Sequence, residues 1–356
     1  MDSVRGVDVI IRLHTAERPI ERAIESALEY EAARVLLVLH NLDVSELGER
    51  LDKYLAMGRL TLVHSDRGVG YPGVPFNDGV HAATAPWIAL LDSDDYFELG
   101  ALAAMVEHGI EDDADVVLAP LVVEPNGKSR IPLTLRTKNL SATRDRLFYC
   151  TAPRGIIRRT ILQSPGYEYS EQLRSGEDQR ASARLYGSKL RISHYFADPA
   201  YVVTDDVSGR VSVASSSAAE MGRAVAELWQ EDFVKKLSRA KRRALAIKLA
   251  RVGIYPQLQA ITSGQLSEED FAALADLAKI MHANVPDYRG PMMAGTARVF
   301  AALEQGDLPA TVAALENEFA ARWAVRLLPS QIRFLFHPES PFRYFLLLRK
   351  LTKLGM

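Results

Sequence analysis

Apolar residues in the first third of the chain fall into short runs separated by stretches with helical spacing. VDVIIRL (7–13), RVLLVLH (34–40), LTLVH (60–64), WIALLD (87–92) and ADVVLAP (114–120) have the length and β-branched content of buried strands. Between them, RPIERAIESALEY (18–30) places Ile20, Ala23, Ile24, Ala27 and Leu28 on one helical face, with Pro19 suited to a first turn. Helical spacing recurs in SELGERLDKYLA (45–56) and over 75–84 and 98–109. Alternating strands and helices predict an α/β fold, a mostly parallel sheet with helices on both faces. Such sheets bind ligands at the carboxyl ends of their strands.

From 126 to 215 the pattern is mixed. SATRDRLFY and GEDQRASARLYG read as helices, KLRISHYF and AYVVTDD as strands. The serine-rich SVASSSAAE (212–220) marks a boundary, beyond which nearly everything has helical spacing. Ser267 and Asp307 stand where N-caps belong, the latter with Pro309 just inside its helix. Two domains are expected, an α/β domain over 1–215 and a helical C-terminal domain over 216–356.

Composition narrows the function classes. With 48% hydrophobic residues in 356 the chain can bury a full core, and a net charge of −2 gives no reason to expect nucleic acid. The single cysteine, Cys150, excludes a disulfide framework within the chain and reads as a buried small residue. The opening MDSVRGVDVII lacks a basic region followed by an apolar run, and no apolar stretch approaches the ~20 residues of a membrane span. A cytoplasmic protein, at most peripheral on the inner face of a membrane, is the expectation.

Against this background WIALLDSDDYF stands out, because a buried strand runs into acids at 92, 94 and 95. Alternation along an extended chain turns Asp92 and Asp94 the same way. Two converging carboxylates suit Mg²⁺ or Mn²⁺, which could carry a diphosphate. The plainer reading is a polar turn that caps a helix near Glu98.

VDVIIRLHTAERPIERAIESAL, then SDRGVGYPGVPFNDGVHAATAPWIALLDSDDYF, then GEDQ together resemble an inverting family 2 glycosyltransferase of the GT-A fold, over roughly residues 7–210. The composite N-x-G-x-x-x-A (Asn77, Gly79, Ala83) ahead of the acids is the most specific element. The resemblance implies that Asp92 and Asp94 hold a nucleotide-sugar donor, with Asp94 the principal metal contact. Asp95 is left to orient the site or cap the next helix. Thr15, Glu17 and Arg18 become nucleobase candidates, with a surface role the alternative for Arg18, and Asn77 joins the donor set. The chain also departs from the family pattern. Arg12 and His14 follow the first strand, HNLD replaces an expected D-D-G-S so that Asp43 would have to read the base, and Phe76 stands where an arginine is common. Arg67 could supply the missing charge.

In GEDQ the resemblance makes Asp178 the general base and Glu177 its supporting acid, although acids also favour helix N-termini for dipole reasons alone. Downstream, Arg210 is a candidate diphosphate grip and His194 a further metal ligand, a structural histidine being the commoner case. KKLSRAKRRALAIKLAR (235–251) and the terminal SPFRYFLLLRKLTKLGM read as a solvated face and a packed helix, or as surfaces for an anionic membrane or polymer.

The expected activity is transfer of a sugar, from a UDP-sugar by default, to a hydroxyl of a cell-envelope glycan, polyol-phosphate polymer or lipid-linked acceptor. Expected partners are the donor, the acceptor, a membrane surface and a second copy of the chain, without nucleic acid. A glycosyltransferase-like binding module without activity and a sugar nucleotidyltransferase are the rival readings.

Overall fold

Four apolar runs form parallel strands β1 (Val7–Leu13), β2 (Ala33–His40), β3 (Leu60–Ser65) and β4 (Trp87–Asp92), ordered β4-β1-β2-β3. Two ion pairs pin their register, and a one-residue slip would invert every side chain. Asp8 faces Arg34 across β1 and β2 and accepts two hydrogen bonds of 2.9 Å from its guanidinium. Arg12 faces Asp92 across β1 and β4. The remaining strands are β5 (Tyr96–Phe97), β6 (Val116–Leu118), β7 (Leu121–Val123), β8 (Gly127–Lys128), β9 (Gly155–Arg158), β10 (Ile192–His194) and β11 (Tyr201–Val203). They complete a seven-stranded sheet, β10-β6-β9-β4-β1-β2-β3, and a four-stranded sheet, β5-β11-β7-β8. β9 is antiparallel to both its neighbours and brings the Arg154–Gly155 turn alongside the end of β4.

This computed structural model describes residues 4–204, 218–259 and 266–354. The chain divides into two compact units, Met1–Ile131 with Arg136–Leu140 and Cys150–Ala214, and Pro132–Leu135 with Ser141–Tyr149 and Ser215–Met356.

In the first unit, α1 (Ile20–Leu28) buries Ile20, Ala23, Ile24 and Ala27, the stripe expected from spacing. The expected helix over 45–56 is broken. A 3₁₀ turn, Val44–Leu51, leads into the short α2 (Asp52–Ala56), because Gly48 takes φ 54°, outside the helical region. α3 (Gly73–Ala82) lies against the sheet, where a Cβ on Gly79 would come within 2.6 Å of Ile10. α4 (Ala101–Glu111), α5 (Arg159–Leu162) and α6 (Gln179–Gly187) complete the unit. Cys150 is buried, as expected of it.

The second unit is helical: α7 (Ala218–Gln230), α8 (Asp232–Lys236), α9 (Arg239–Lys248), α10 (Tyr255–Gln259), α11 (Glu268–Asn284), α12 (Ala294–Gln305), α13 (Leu308–Glu316), α14 (Trp323–Arg326) and α15 (Pro341–Lys353). Ser267 and Asp307 cap α11 and α13 as expected, accepting from Asp270 N and Ala310 N. SATRDRLFY is not the expected helix. Arg146 has φ 56°, Asp145 turns back to accept from Ser141 N and Thr134 Oγ1, and only Leu147–Tyr149 closes a 3₁₀ turn. The basic 235–251 stretch is not simply a solvated face. Arg239 and Arg243 pair with Asp287, and Arg251 with the buried Glu339. No helix among the described residues is long and apolar enough to cross a membrane.

The contact of Gly79 with Ile10 yields a test. Gly79→Ala should lower stability by about 1–3 kcal/mol through overpacking, read from the urea midpoint. An unchanged midpoint would show that α3 does not rest on β1 in this way.

Candidate active site

The acids that close β4 stand at the carboxyl edge of the parallel sheet, and each has a local charge or hydrogen-bond partner. Arg12 Nη2 donates to Asp92 Oδ1 at 2.8 Å, and Arg154 Nη2 lies 3.5 Å from the other oxygen. Arg18 Nη1 donates to Asp94 Oδ2 at 2.7 Å. Arg22 and Thr204 Oγ1 donate to the Asp94 carbonyl at 2.6 and 2.8 Å. Asp95 does not cap α4, whose N-cap is Gly100. It accepts instead from Tyr201 Oη at 2.8 Å and Thr204 N at 3.1 Å, while Asp92 N donates to the same tyrosine oxygen. A hydrogen-bonded thread from Asp92 N through Tyr201 to Asp95 thus shapes the turn. Burial, and then the charge of Asp92, push the Asp95 carboxyl up to about 7.

The second acidic pair is held by α3. Asn77 clamps the main chain of Tyr169, with its Oδ1 accepting from Tyr169 N at 2.9 Å and its Nδ2 donating to Tyr169 O at 3.0 Å. Phe76 stacks on the Tyr169 ring at 3.6 Å. Gly73 makes this approach sterically allowed, since a Cβ there would fall 2.1 Å from Ser170 O. Ser170 N donates to Glu177 O, so the clamped loop ends at the acids. Asp178 Oδ2 accepts from Ala152 N, which ties α6 to the segment before Arg154.

Asp92 and Glu177 line one cavity, together with Arg12, Arg154, Tyr169 and Tyr201. Burial, and next the charge of Asp178, push the Glu177 carboxyl up to about 7, while Arg12 opposes the shift. The Tyr169 hydroxyl is buried and has no hydrogen-bond partner among the described residues. Two acids, of which Glu177 has a raised proton affinity, two guanidiniums and two phenols converge where an α/β sheet takes its ligands, an arrangement typical of catalytic clefts.

Other expected residues lie elsewhere or have other work. Asn77 is a clamp and does not line the cavity. Arg67 is spent on Glu171 and Asp78. Asp43 caps the turn after β2 in a capping box with Glu46. Thr15 Oγ1 lies 3.5 Å from Glu17 N in the loop before Arg18, and Glu17 is exposed. His194 is corrected as a metal ligand. It sits on β10, three strands from β4 and so roughly 14 Å away, and its Nδ1–H donates to Leu118 O. Burial lowers it to about 4. Arg210 lies outside the described residues. Sequence reasoning missed Arg22, Arg154, Tyr169 and Tyr201, and noted Arg12 only as a departure. The one available signal was a charge at the end of an apolar strand, Arg12, matching another at Asp92.

The carboxylates supply hard oxygens suited to Mg²⁺ or Mn²⁺. Among the described residues no three His, Cys, Asp or Glu side chains gather to hold an ion unaided. The donor set therefore fits an ion that takes one or two protein oxygens and the rest from a ligand's phosphates and water.

Known proteins resemble this chain in sequence and in fold. The family model Glycosyl transferase family 2 matches residues 8–164. The succinoglycan biosynthesis protein ExoO of Rhizobium meliloti is 31% identical over 54% of this chain and 59% of its own length. The poly(ribitol-phosphate) beta-N-acetylglucosaminyltransferase TarS of Staphylococcus aureus is 24% identical over 54% of this chain and 34% of its own. The chain therefore spans about three fifths of the first relative and one third of the second. The crystal structure of S. aureus TarS 1-349 in complex with UDP-GlcNAc shares the fold, at TM-score 0.76 and 18% identity over 88% of this chain and 91% of that one.

The two raised carboxyls make stability depend on pH. A carboxyl whose folded pKa exceeds its unfolded value holds its proton more tightly when folded. Its stabilising contribution is complete below about pH 4 and is lost as pH rises through 7, the value for Asp95 and Glu177. The thermal midpoint of the ligand-free protein should fall between pH 5 and 8, and Asp95→Asn should make that fall roughly 2–4 °C smaller. An identical slope in the variant would contradict the assignment.

Proposed function

We propose that the chain, whose residues 8–164 match the family model Glycosyl transferase family 2, moves a sugar from a nucleotide donor, a UDP-sugar, to a hydroxyl of a cell-envelope glycan or polyol-phosphate polymer, with inversion at the anomeric carbon. The observation that carries the reading is the single cavity lined by both Asp92 and Glu177. It brings one acid from the end of β4 and one from the segment before α6 to one cleft, with Asp94 and Asp178 each close in sequence to that lining.

Arg12 and Arg154 hold Asp92 against the donor side of the cleft. Asp94, with Asp92 beside it, would hold a divalent ion, and a bound ion would offset charge growing on the leaving diphosphate. Asp178, which accepts from Ala152 N, would take the proton of the acceptor hydroxyl as that oxygen attacks. Glu177 orients the acceptor, and its proton affinity near neutrality suits it to share a hydrogen bond with a hydroxyl. Asn77 and Phe76 work through the Tyr169 loop and position both acids.

The UDP donor is supported by the shared fold with TarS, solved with UDP-GlcNAc. The envelope acceptor is supported by the named roles of the relatives in succinoglycan and poly(ribitol-phosphate) assembly. Such acceptors are made beside a membrane. α15 exposes Tyr344, Phe345 and Leu346 together with Arg349, Lys350 and Lys353, which supports peripheral contact with an anionic surface.

A screen of nucleotide-sugars for nucleotide release, with and without Mn²⁺, tests the reading. Asp94→Ala should lose metal-dependent donor binding. Asp178→Ala should keep donor binding and lose transfer by about 10²–10⁴-fold. Wild-type rates in both variants would remove the mechanism, and donor binding without turnover of any pair would favour a binding module.

A further inference from the structure

We propose that Tyr169 determines sugar specificity, its hydroxyl reading one hydroxyl of the transferred sugar in the cavity between Asp92 and Glu177. The inference rests on the donor reading above and adds to it the group that tells one sugar from another.

Tyr169 is the exception among the buried tyrosines. Tyr54, Tyr186, Tyr201 and Tyr288 donate to Glu25 Oε1, Cys150 O, Asp95 Oδ2 and Glu304 Oε1, at 2.8, 2.7, 2.8 and 2.8 Å. The Tyr169 hydroxyl is also shielded but has no partner among the described residues, and a phenol buried unpaired costs free energy. Its mounting does not use the hydroxyl. Asn77 holds the main chain, and Phe76 holds the face of the ring. The electrical surroundings of the hydroxyl are those of the cleft. Burial, and next the charge of Asp178, raise its proton affinity, with Glu177 and Asp92 adding to the rise and Arg12 opposing it. The group therefore stays protonated and serves as a donor.

The cavity that Tyr169 lines suits a neutral hydroxyl. It holds about 30 Å³, room for one or two groups of that size. Ile10, Leu90 and Leu91 give it an apolar wall, against which a phosphate would lose hydration. A sugar hydroxyl carries one donor and two acceptor lone pairs. Tyr169 Oη can donate to it, and so can Arg154 Nε, which likewise has no partner among the described residues. The Glu177 carboxylate can accept from it. Asp92, Arg12 and Arg154 put this cavity on the donor side, so the hydroxyl it takes belongs to the transferred sugar. A hydrogen atom in that place leaves buried donors unpaired, which is the strongest basis for rejecting a near-isosteric ligand.

UDP release from UDP-glucose and UDP-GlcNAc, and from monodeoxy forms of each, tests this with Mn²⁺ present in wild type and Tyr169→Phe. In wild type, removing one particular hydroxyl should lower kcat/KM by about 10²-fold. Tyr169→Phe should lose about as much with the parent sugars, and that same deoxy form should then cost less than about threefold more. The penalties of the other deoxy forms should stay as in wild type. The thermal midpoint of ligand-free Tyr169→Phe should match or exceed that of wild type, because phenylalanine keeps the stack on Phe76 and removes an unpaired group. A structural role would lower that midpoint and leave all penalties additive. Equal rates with every deoxy form in wild type, additive penalties at every position, or a lower midpoint in the variant overturn the proposal. No UDP release from either parent sugar in wild type counts against the donor reading, and the thermal midpoints still decide whether the hydroxyl is kept for a ligand.

Discussion

The pairing of Arg12 with Asp92 across adjacent parallel strands is the interaction on which the rest of the site depends. Acids at the mouth of a buried strand repel one another and resist desolvation. Arg12 and Asp92 are part-buried rather than fully shielded, so solvent screens some of their attraction, and the crowding of acids is eased because each has a counter-charge or hydrogen-bond partner. Here the register of β1 on β4 supplies one guanidinium, the turn before β9 supplies Arg154, and the loop and first turn after β1 supply Arg18 and Arg22. The arginines let the acidic edge exist before any ligand binds. They also give it the means to receive a ligand of opposite charge.

A second constraint joins two motifs that lie far apart in the chain. α3 touches the sheet through Gly79, the Tyr169 loop through Gly73 and Phe76, and that loop's main chain through Asn77. The loop continues into Glu177 and Asp178. One helix packed on the sheet therefore positions the loop that leads to Glu177 and Asp178, and the N-x-G motif acts as a spacer. Proton affinities follow from the same packing. Asp95 and Glu177 are both shielded and both feel the charge of Asp92, and each carboxyl holds its proton toward neutrality.

The elements that depend on local pattern were legible in the sequence. β1 to β4, the buried stripe of α1 and the caps of α11 and α13 follow from periodicity and capping chemistry, and the acids fall at the ligand-binding edge by rule. What depends on distant partners was not legible. Arg12 and Asp92 are 80 positions apart, and Asn77 and Tyr169 are 92 apart. Strand order makes the first two neighbours, and the packing of α3 on the loop makes the second two so. The same blindness made His194 a ligand candidate, when the order of strands carries it to the far side of the sheet. Backbone exceptions at Gly48 and Arg146 interrupted two helices whose side-chain spacing was sound.

The central claim is that the acidic end of β4, neutralised by arginines, is the place where the metal–diphosphate end of a donor is received. Crystals grown with Mn²⁺ and UDP, measured at the manganese absorption edge, address it directly. The account predicts one strong anomalous peak at coordination distance from the Asp94 carboxylate, continuous with density for a diphosphate. A peak at any other acidic cluster, or UDP bound away from the carboxyl edge of β1 and β4, would contradict it.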